Sequence, residues 1–203
     1  METKALTLAD TLSFFLAADQ LKHQTRENRL HDASRSETVA EHCWHVSLLA
    51  MLCEPFAATD IDEVHVRELL VIHDLVEVYA GDTVLWADDL EADVAAREAA
   101  AGERLVNQLP EMMRTRFSRL IDEFQAQETP EARYARALDS LHPMLLSWGP
   151  GGMGHVRPSL TATAVLARKS RYLESFPPLW DLAQQVVADA VARGLLDPGE
   201  TER

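Results

Sequence analysis

The sequence predicts an all-α protein, and three observations support this prediction. Apolar residues recur every three or four positions in successive stretches, which is the period of an amphipathic helix. Proline, glycine and helix-capping residues separate these stretches by short turns. The period-two pattern of a half-buried strand is absent from the sequence, as are internal repeats and long linkers. We therefore expect one helical domain over residues 1–203, with a core from about 10 to 190 and a disordered tail at 196–203.

Composition narrows the possible partners and compartments. Hydrophobic residues make up 47% of the 203 residues and charged residues 26%, which is typical of a globular protein. The net charge of -14 disfavours binding to nucleic acid polymers or to an anionic membrane. The apolar runs fall well short of the roughly 20 residues of a membrane span, and the N-terminus lacks a signal-peptide pattern. Cys43 and Cys53 show no ligand spacing, so a reduced, cytoplasmic protein is predicted.

The N-terminal part of the chain is predicted to be a helix followed by a charged loop. Helical spacing of apolar residues extends over about residues 5–22. From Lys22 to Glu37 this period is lost, and the segment contains Arg26, Arg29 and Arg35. A charged run of this kind is usually a solvated loop. Because it precedes a histidine-rich helix in an acidic protein, one of its arginines could instead bind an anion.

The next predicted helix carries two histidines. It begins at Ser36 or Thr38, either of which can cap a helix, and continues to about residue 53. His42 and His45 are three residues apart and could share one helix face. Their spacing does not decide which of them binds a metal ion. For either histidine alone, a buried and hydrogen-bonded structural role is the alternative.

A helix predicted to start at Asp60 or Asp62 leads into the most informative stretch of the chain. Four ionisable residues lie there within an apolar run: His73, Asp74, Glu77 and Asp82. On a helix His73 and Glu77 lie one turn apart, and Asp74 lies about 100° round the axis from His73. Gly81 is expected to end the helix, so that Asp82 projects towards the same point. Buried ionisable groups are costly unless they are paired or bind a metal, although a lone His-Asp pair could be structural.

The C-terminal half is predicted to consist of further helices. Their approximate ranges are 90–109, 110–126, 130–148, 159–173 and 178–193. Asp139 interrupts the apolar face of one of them, where it could pair with Arg136 or add a carboxylate to a metal site. The glycine-rich run 149–154 lacks the Lys-Ser or Lys-Thr pair of a phosphate-binding loop, so we expect it to be a hinge.

Four blocks of sequence occur together in a recognisable order. They are Leu21-Lys22 with Arg26, Ser36 to His42, His73 to Glu77 with Ala80 to Thr83, and Ala137-Leu138-Asp139. This order resembles the HD-domain metal-dependent phosphohydrolases, which are named for the adjacent His-Asp pair. More narrowly, the chain is similar to the bacterial 5'-deoxynucleotidases and the related single-domain HD hydrolases. The resemblance covers roughly residues 10–190 and implies a single-domain helical bundle of the HD type.

The resemblance also implies roles for individual residues. One divalent metal ion would be bound by His42, His73, Asp74 and Asp139, and the family pattern selects His42 over His45. Two imidazoles and two carboxylates suit manganese, cobalt, iron, nickel or zinc. By the same match Glu77 and Asp82 are the proton-transfer pair, with acid and base not distinguished. Arg26 would hold a phosphate group, with Arg35 as a second contact.

The predicted function is the release of phosphate from a small phosphomonoester, in particular a nucleoside or deoxynucleoside 5'-monophosphate. In deoxynucleotidases an aromatic residue commonly follows the phosphate-binding arginine, whereas Glu27 follows Arg26 here. Other HD reactions, on a nucleoside triphosphate, a cyclic diester or a guanosine alarmone, are alternatives. A non-catalytic, metal-stabilised binding module is another, although it would not need Glu77 or Asp82. A homodimer is expected from the frequency of dimers among soluble proteins.

Overall fold

The computed structural model describes residues 7–58, 60–80, 91–155 and 159–199, with backbone only at 80 and 91–98. Its helices are α1 (Leu12–Ala18), α2 (Val39–Cys53), α3 (Glu63–Ile72), α4 (Glu77–Ala80), α5 (Glu91–Val106), α6 (Glu111–Ala126), α7 (Pro130–Trp148), α8 (Ala162–Leu173) and α9 (Pro177–Ala192). Short 3-10 turns cover Leu8–Thr11, Asp19–Lys22 and Glu54–Phe56. The all-α prediction is confirmed. Within the described residues, every helix lacks the combination of length and apolar character needed to cross a bilayer.

Helix α7 lies at the centre of the bundle and contacts α2, α3, α6, α8 and α9. It begins as the sequence predicts, because the Thr129 hydroxyl accepts a hydrogen bond from the Ala132 amide and proline occupies the first helical position. Its buried face alternates small and large side chains: Ala132, Tyr134, Ala135, Leu138 and Leu141 are fully buried. The small residues let neighbouring helices pack closely, so Asp139 is held in the middle of the fold.

The charged segment before α2 is not the loop that was predicted. Two strands, β1 (Thr25–Arg29) and β2 (Ser36–Thr38), pair antiparallel with Thr25 opposite Thr38. The hairpin is a small addition to the all-α fold that the sequence pattern does not reveal. Both strands are short and polar, and Glu37 is the one buried residue of the pair, so no apolar alternation marks them. Backbone hydrogen bonds stabilise the hairpin, and it brings Arg26 and Glu37 to the start of α2.

The predicted helix through the His-Asp pair is interrupted. Helix α3 is capped by Asp62, whose carboxylate accepts hydrogen bonds from the Val64 and His65 amides, and it ends at Ile72. Residues 73–76 form turns, in which the Leu75 amide bonds to the Ile72 carbonyl and the Glu77 amide to that of Asp74. His73 and Asp74 thus lie on a tight turn between α3 and α4. The predicted roles of Gly81 and Asp82 concern residues outside the described part of the chain.

Helix α1 leaves much of its predicted apolar stripe exposed, whereas helix α5 has a buried face. The first predicted helix consists of α1 with 3-10 turns at both ends, and Leu8 is 88% exposed. Three further residues of its apolar stripe are exposed: Leu12, Phe15 and Leu16. Phe14 instead packs edge-on against Phe117, with ring centroids 5.1 Å apart. Helix α5 buries Ala101, Leu105 and Val106 because one of its faces packs on α4 and α6.

Hydrogen bonds hold the glycine-rich run 149–154, for which the sequence predicts a hinge. Arg193 donates hydrogen bonds to the carbonyls of Trp148, Gly149 and Gly152. A Cβ atom on Gly152 would lie 2.7 Å from the Ser147 carbonyl oxygen, which accounts for the glycine there. At the start of the predicted tail, Leu196 is buried and the Asp197 carbonyl accepts a hydrogen bond from the Ala162 amide. Residues 200–203 are not described.

Candidate metal centre and phosphate site

The four ligands suggested by the sequence lie together in the fold. We call His42, His73, Asp74 and Asp139 the histidine-aspartate cluster. His42 Nε2 is 3.0 Å from Asp139 Oδ1 and 3.8 Å from Asp74 Oδ2. His73 Nε2 is 3.1 Å from Asp74 Oδ2 and 3.6 Å from Asp139 Oδ1. Three separate elements, α2, the turn after α3, and α7, therefore present their ligand atoms to one point.

The donor atoms of the cluster fit a metal ion. His73 Nδ1 lies 2.8 Å from the Leu70 carbonyl oxygen, to which it can only donate, so neutral His73 carries its lone pair on Nε2. That atom is buried, and within the described residues no hydrogen bond reaches it. Ligand atoms of His42, His73 and Asp139 all lie within 4.8 Å of one another. This spacing suits a single ion with ligand distances of about 2.0–2.2 Å.

The charge around the cluster also favours a cation. Four acidic side chains lie in or beside it: Glu37, Asp74, Glu77 and Asp139. Two arginines offset them, since Arg26 Nη1 is 2.8 Å from Asp74 Oδ2 and Arg136 Nη1 is 3.0 Å from Asp139 Oδ2. With every carboxylate ionised, the negative charges exceed the positive ones by two. Buried charges need compensation, and a divalent cation supplies it.

Burial and neighbouring charges act in opposite directions on the pKa values of the cluster residues. Burial acts to raise the pKa of Asp139, but the hydrogen bond from His42 and the nearby His73 and Arg136 side chains outweigh it and hold the pKa well below its ordinary value. Burial acts to lower the pKa of His73, but the charge of Asp74 outweighs it, so the pKa is raised well above its ordinary value. Burial raises the pKa of Glu37 to about 7.

The remaining predicted residues lie in different positions relative to the cluster. Glu77 begins α4, is 8% exposed, and places Oε1 3.9 Å from Arg26 Nη1. Arg26 therefore contacts both the cluster and the predicted acid-base residue. Arg35 pairs with both carboxylate oxygens of Glu41, at 2.5 and 2.8 Å, and its described contacts do not reach the cluster. Asp82 lies outside the described residues.

Three polar residues near the cluster were missed from the sequence. Glu37 Oε1 lies 3.6 Å from Arg26 Nε and 3.7 Å from His42 Nδ1. His142 Nδ1 lies 3.2 Å from His42 Nδ1; its position three residues after Asp139 on one helix was a signal that the two could lie close together. Lys169 is 5% exposed and donates to the Ser140 carbonyl at 2.7 Å. Nothing in the sequence pattern of α8 indicated a buried lysine.

Replacing Lys169 by methionine is expected to stabilise the protein at pH 7. Burial, together with Arg168 and Arg136 and against the charge of Asp139, lowers the pKa of Lys169 to about 8 from 10.5. Below the lower value the lysine is charged in both the folded and unfolded chains, so the folded protein bears the full burial cost. We expect a gain of about 1–3 kcal/mol in the free energy of unfolding, measured by urea titration.

The pH dependence separates this electrostatic effect from a packing effect. Between the two pKa values the unfolded chain binds the extra proton, so wild-type stability rises with pH relative to the variant. The advantage of Lys169→Met should therefore shrink as the pH approaches about 10. Lys22→Met, at an exposed position, is the matched control. An advantage that stayed constant with pH would contradict the prediction.

The fold and the histidine-aspartate cluster define a class of protein, the helical domains that can hold a metal ion between histidine and aspartate side chains. The sequence profile of the HD domain matches residues 18–180. This match covers most of the chain, and the chain belongs to the HD domain family. The adjacent pair that gives the family its name is His73-Asp74.

Individual relatives agree with this assignment. The crystal structure of a predicted metal-dependent phosphohydrolase from Magnetospirillum magnetotacticum has a TM-score of 0.81 and 34% identity, and the alignment covers 94% of this chain and 96% of that one. The 5'-deoxynucleotidase HDDC2 of Xenopus laevis is 29% identical over 136 residues, which are 66% of each protein. A 5'-deoxynucleotidase of Erwinia tasmaniensis is 29% identical over 127 residues, 59% of this chain and 64% of the relative. The matches thus span slightly less than two thirds of the curated relatives.

Proposed function

We propose that this protein is a phosphohydrolase that releases phosphate from a nucleoside or deoxynucleoside 5'-monophosphate with the aid of one divalent metal ion. This proposal rests on one observation: the four residues of the histidine-aspartate cluster lie together, and Arg26 lies next to them. A cation site next to a guanidinium suits a phosphate dianion, which both can bind. The named activity of the similar 5'-deoxynucleotidases supports a nucleotide substrate.

His42, His73, Asp74 and Asp139 are proposed to hold the ion. Two imidazole nitrogens and two carboxylates suit manganese, cobalt, iron, nickel or zinc. When bound, the ion would polarise the phosphoryl group and make water a better nucleophile. The tight turn between α3 and α4 brings His73 and Asp74 to one point, and α7 supplies Asp139, whose Oδ1 lies 3.6 Å from His73 Nε2.

Arg26 is the proposed phosphate-binding residue. Its guanidinium is held at the cluster by Asp74, yet its side chain remains 16% exposed, so it can also face a substrate. Arg35 is proposed as a lesser contact, because it would have to leave Glu41 to reach a phosphate. Glu27 follows Arg26 on β1, and we therefore propose no strict discrimination against a ribose 2'-hydroxyl.

Proton transfer is proposed for Glu77 and Asp82. Glu77 is mostly buried and lies at the end of the tight turn that carries His73 and Asp74. A carboxylate in this position can accept a proton from an attacking water or return one to the leaving alcohol. The homodimer and the cytoplasmic location predicted from the sequence complete the proposal.

The proposal is tested with metal-stripped protein and a panel of phosphorylated substrates. We expect no phosphate release until manganese or cobalt is restored, and then release from nucleoside monophosphates in preference to triphosphates, cyclic diesters and guanosine alarmones. Undiminished turnover by the stripped protein would contradict the metal-dependent reaction. If no substrate reacted while the metal still raised the melting temperature, the binding-module alternative would be supported.

A further inference from the structure

A chain of three histidines leads from the proposed metal centre towards the surface. His42 Nδ1 lies 3.2 Å from His142 Nδ1, and His142 Nε2 lies 2.9 Å from His45 Nδ1. Adjacent rings meet edge to face, each pair with centroids 4.8 Å apart. His42 and His142 are buried, whereas His45 is partly exposed and stacks on the exposed Trp44 at 5.6 Å. The link between His42 and His142 therefore lies in the interior, where an unmatched polar atom is costly.

The direction of hydrogen bonding along this chain follows from the metal site. A neutral imidazole has one N–H and one lone pair. If His42 Nε2 binds a cation, its proton is on Nδ1, which donates to His142 Nδ1. His142 must then carry its own proton on Nε2, which donates to His45 Nδ1. This single arrangement satisfies both hydrogen bonds among the three histidines and presents the lone pair of His42 to the cluster.

The opposite arrangement would disable the ligand. If His142 donated from Nδ1, His42 would have to accept at Nδ1 and carry its proton on Nε2. That N–H would then point at Asp139 and displace a cation. Hydrogen bonds to the distal nitrogen of a ligating histidine generally fix its tautomer and ring orientation. Glu37, at 3.7 Å from His42 Nδ1, is beyond ordinary hydrogen-bond length, so His142 is the nearer acceptor.

We propose that His142, supported by His45, is a positioning residue that keeps His42 in its metal-binding tautomer. The inference rests on the metal site of the proposed function and adds to it two residues that lie outside the histidine-aspartate cluster. His142 shares helix α7 with Asp139, and His45 shares α2 with His42. The same pair of helices thus provides both ligands and their support.

The test compares His142→Leu with His142→Asn. Leucine fills the space but offers no acceptor, whereas the asparagine side-chain oxygen can accept from His42 Nδ1. We expect the leucine variant to bind cobalt about 10–100-fold more weakly than wild type, and the asparagine variant to recover most of the affinity. Affinity is measured by competition with a chelator. The visible absorption of bound cobalt reports the ligand geometry and should change in the leucine variant alone.

His65→Leu provides the matched control. It removes another hydrogen-bonded histidine, the partner of Glu123 on α6, away from the cluster. This variant should keep wild-type cobalt affinity even if its melting temperature falls. Cobalt affinity in His142→Leu equal to that of wild type would overturn the inference and leave the metal site intact. Equal weakening in the leucine and asparagine variants would indicate packing alone and would also overturn it. Failure of the wild-type protein to bind cobalt would instead refute the metal site itself.

Discussion

Asp74→Asn is expected to abolish phosphate release, with turnover lower by about 1,000-fold or more. Asp74 Oδ2 contacts His73 Nε2 at 3.1 Å and Arg26 Nη1 at 2.8 Å, so one oxygen joins the proposed metal ligands to the proposed phosphate-binding residue. The amide has almost the same shape but lacks the negative charge. The variant should therefore fold but bind the cation weakly, and metal content and turnover are measured on the same preparation.

The control separates this local effect from the overall loss of an acidic residue. Asp122→Asn makes the same chemical change at an exposed position on α6 and should leave both quantities unchanged. If Asp74→Asn retained a full complement of metal and wild-type turnover, Asp74 would not be a ligand. If it retained the metal but lost turnover, its contact with Arg26 would be the more important one.

The residues that the sequence predicted well are those whose local pattern dictates their structure. Apolar periodicity and caps such as Thr129 and Asp62 place the main helices, because these signals act within one or two turns. His42 and Asp139 are 97 residues apart, yet both interrupt apolar faces of predicted helices. A polar group on a buried face needs a partner, so their meeting could be anticipated, although the distances could not.

Features that depend on long-range contacts could not be predicted. The β1-β2 hairpin is stabilised by backbone hydrogen bonds and buries Glu37 rather than an apolar residue, so no side-chain pattern reveals it. The turn at 73–76 has the same apolar spacing as a helix, and only its hydrogen bonds distinguish it. Lys169 is buried because α8 packs on α7 beside Ser140, which is a consequence of tertiary structure alone.

Glu77→Gln is expected to lower kcat by about 100- to 10,000-fold while metal content and KM stay close to wild type. Glu77 does not belong to the cluster, and its Oε1 lies 3.9 Å from Arg26 Nη1. Glutamine preserves the size of the side chain but can neither accept nor release a proton at neutral pH. An effect confined to kcat is the signature of a group that acts in the transition state.

Comparison with Asp74→Asn gives this experiment its discriminating power, because both variants replace a carboxylate by an amide within three residues of each other. If Asp74→Asn lost the metal and Glu77→Gln retained it, Asp74 would be a metal ligand and Glu77 a proton-transfer residue. Glu103→Gln, exposed on α5, is the control and should be fully active. Equal loss of metal in both variants would mean that Glu77 helps to hold the cation, and the proton-transfer role would then fall to Asp82 alone.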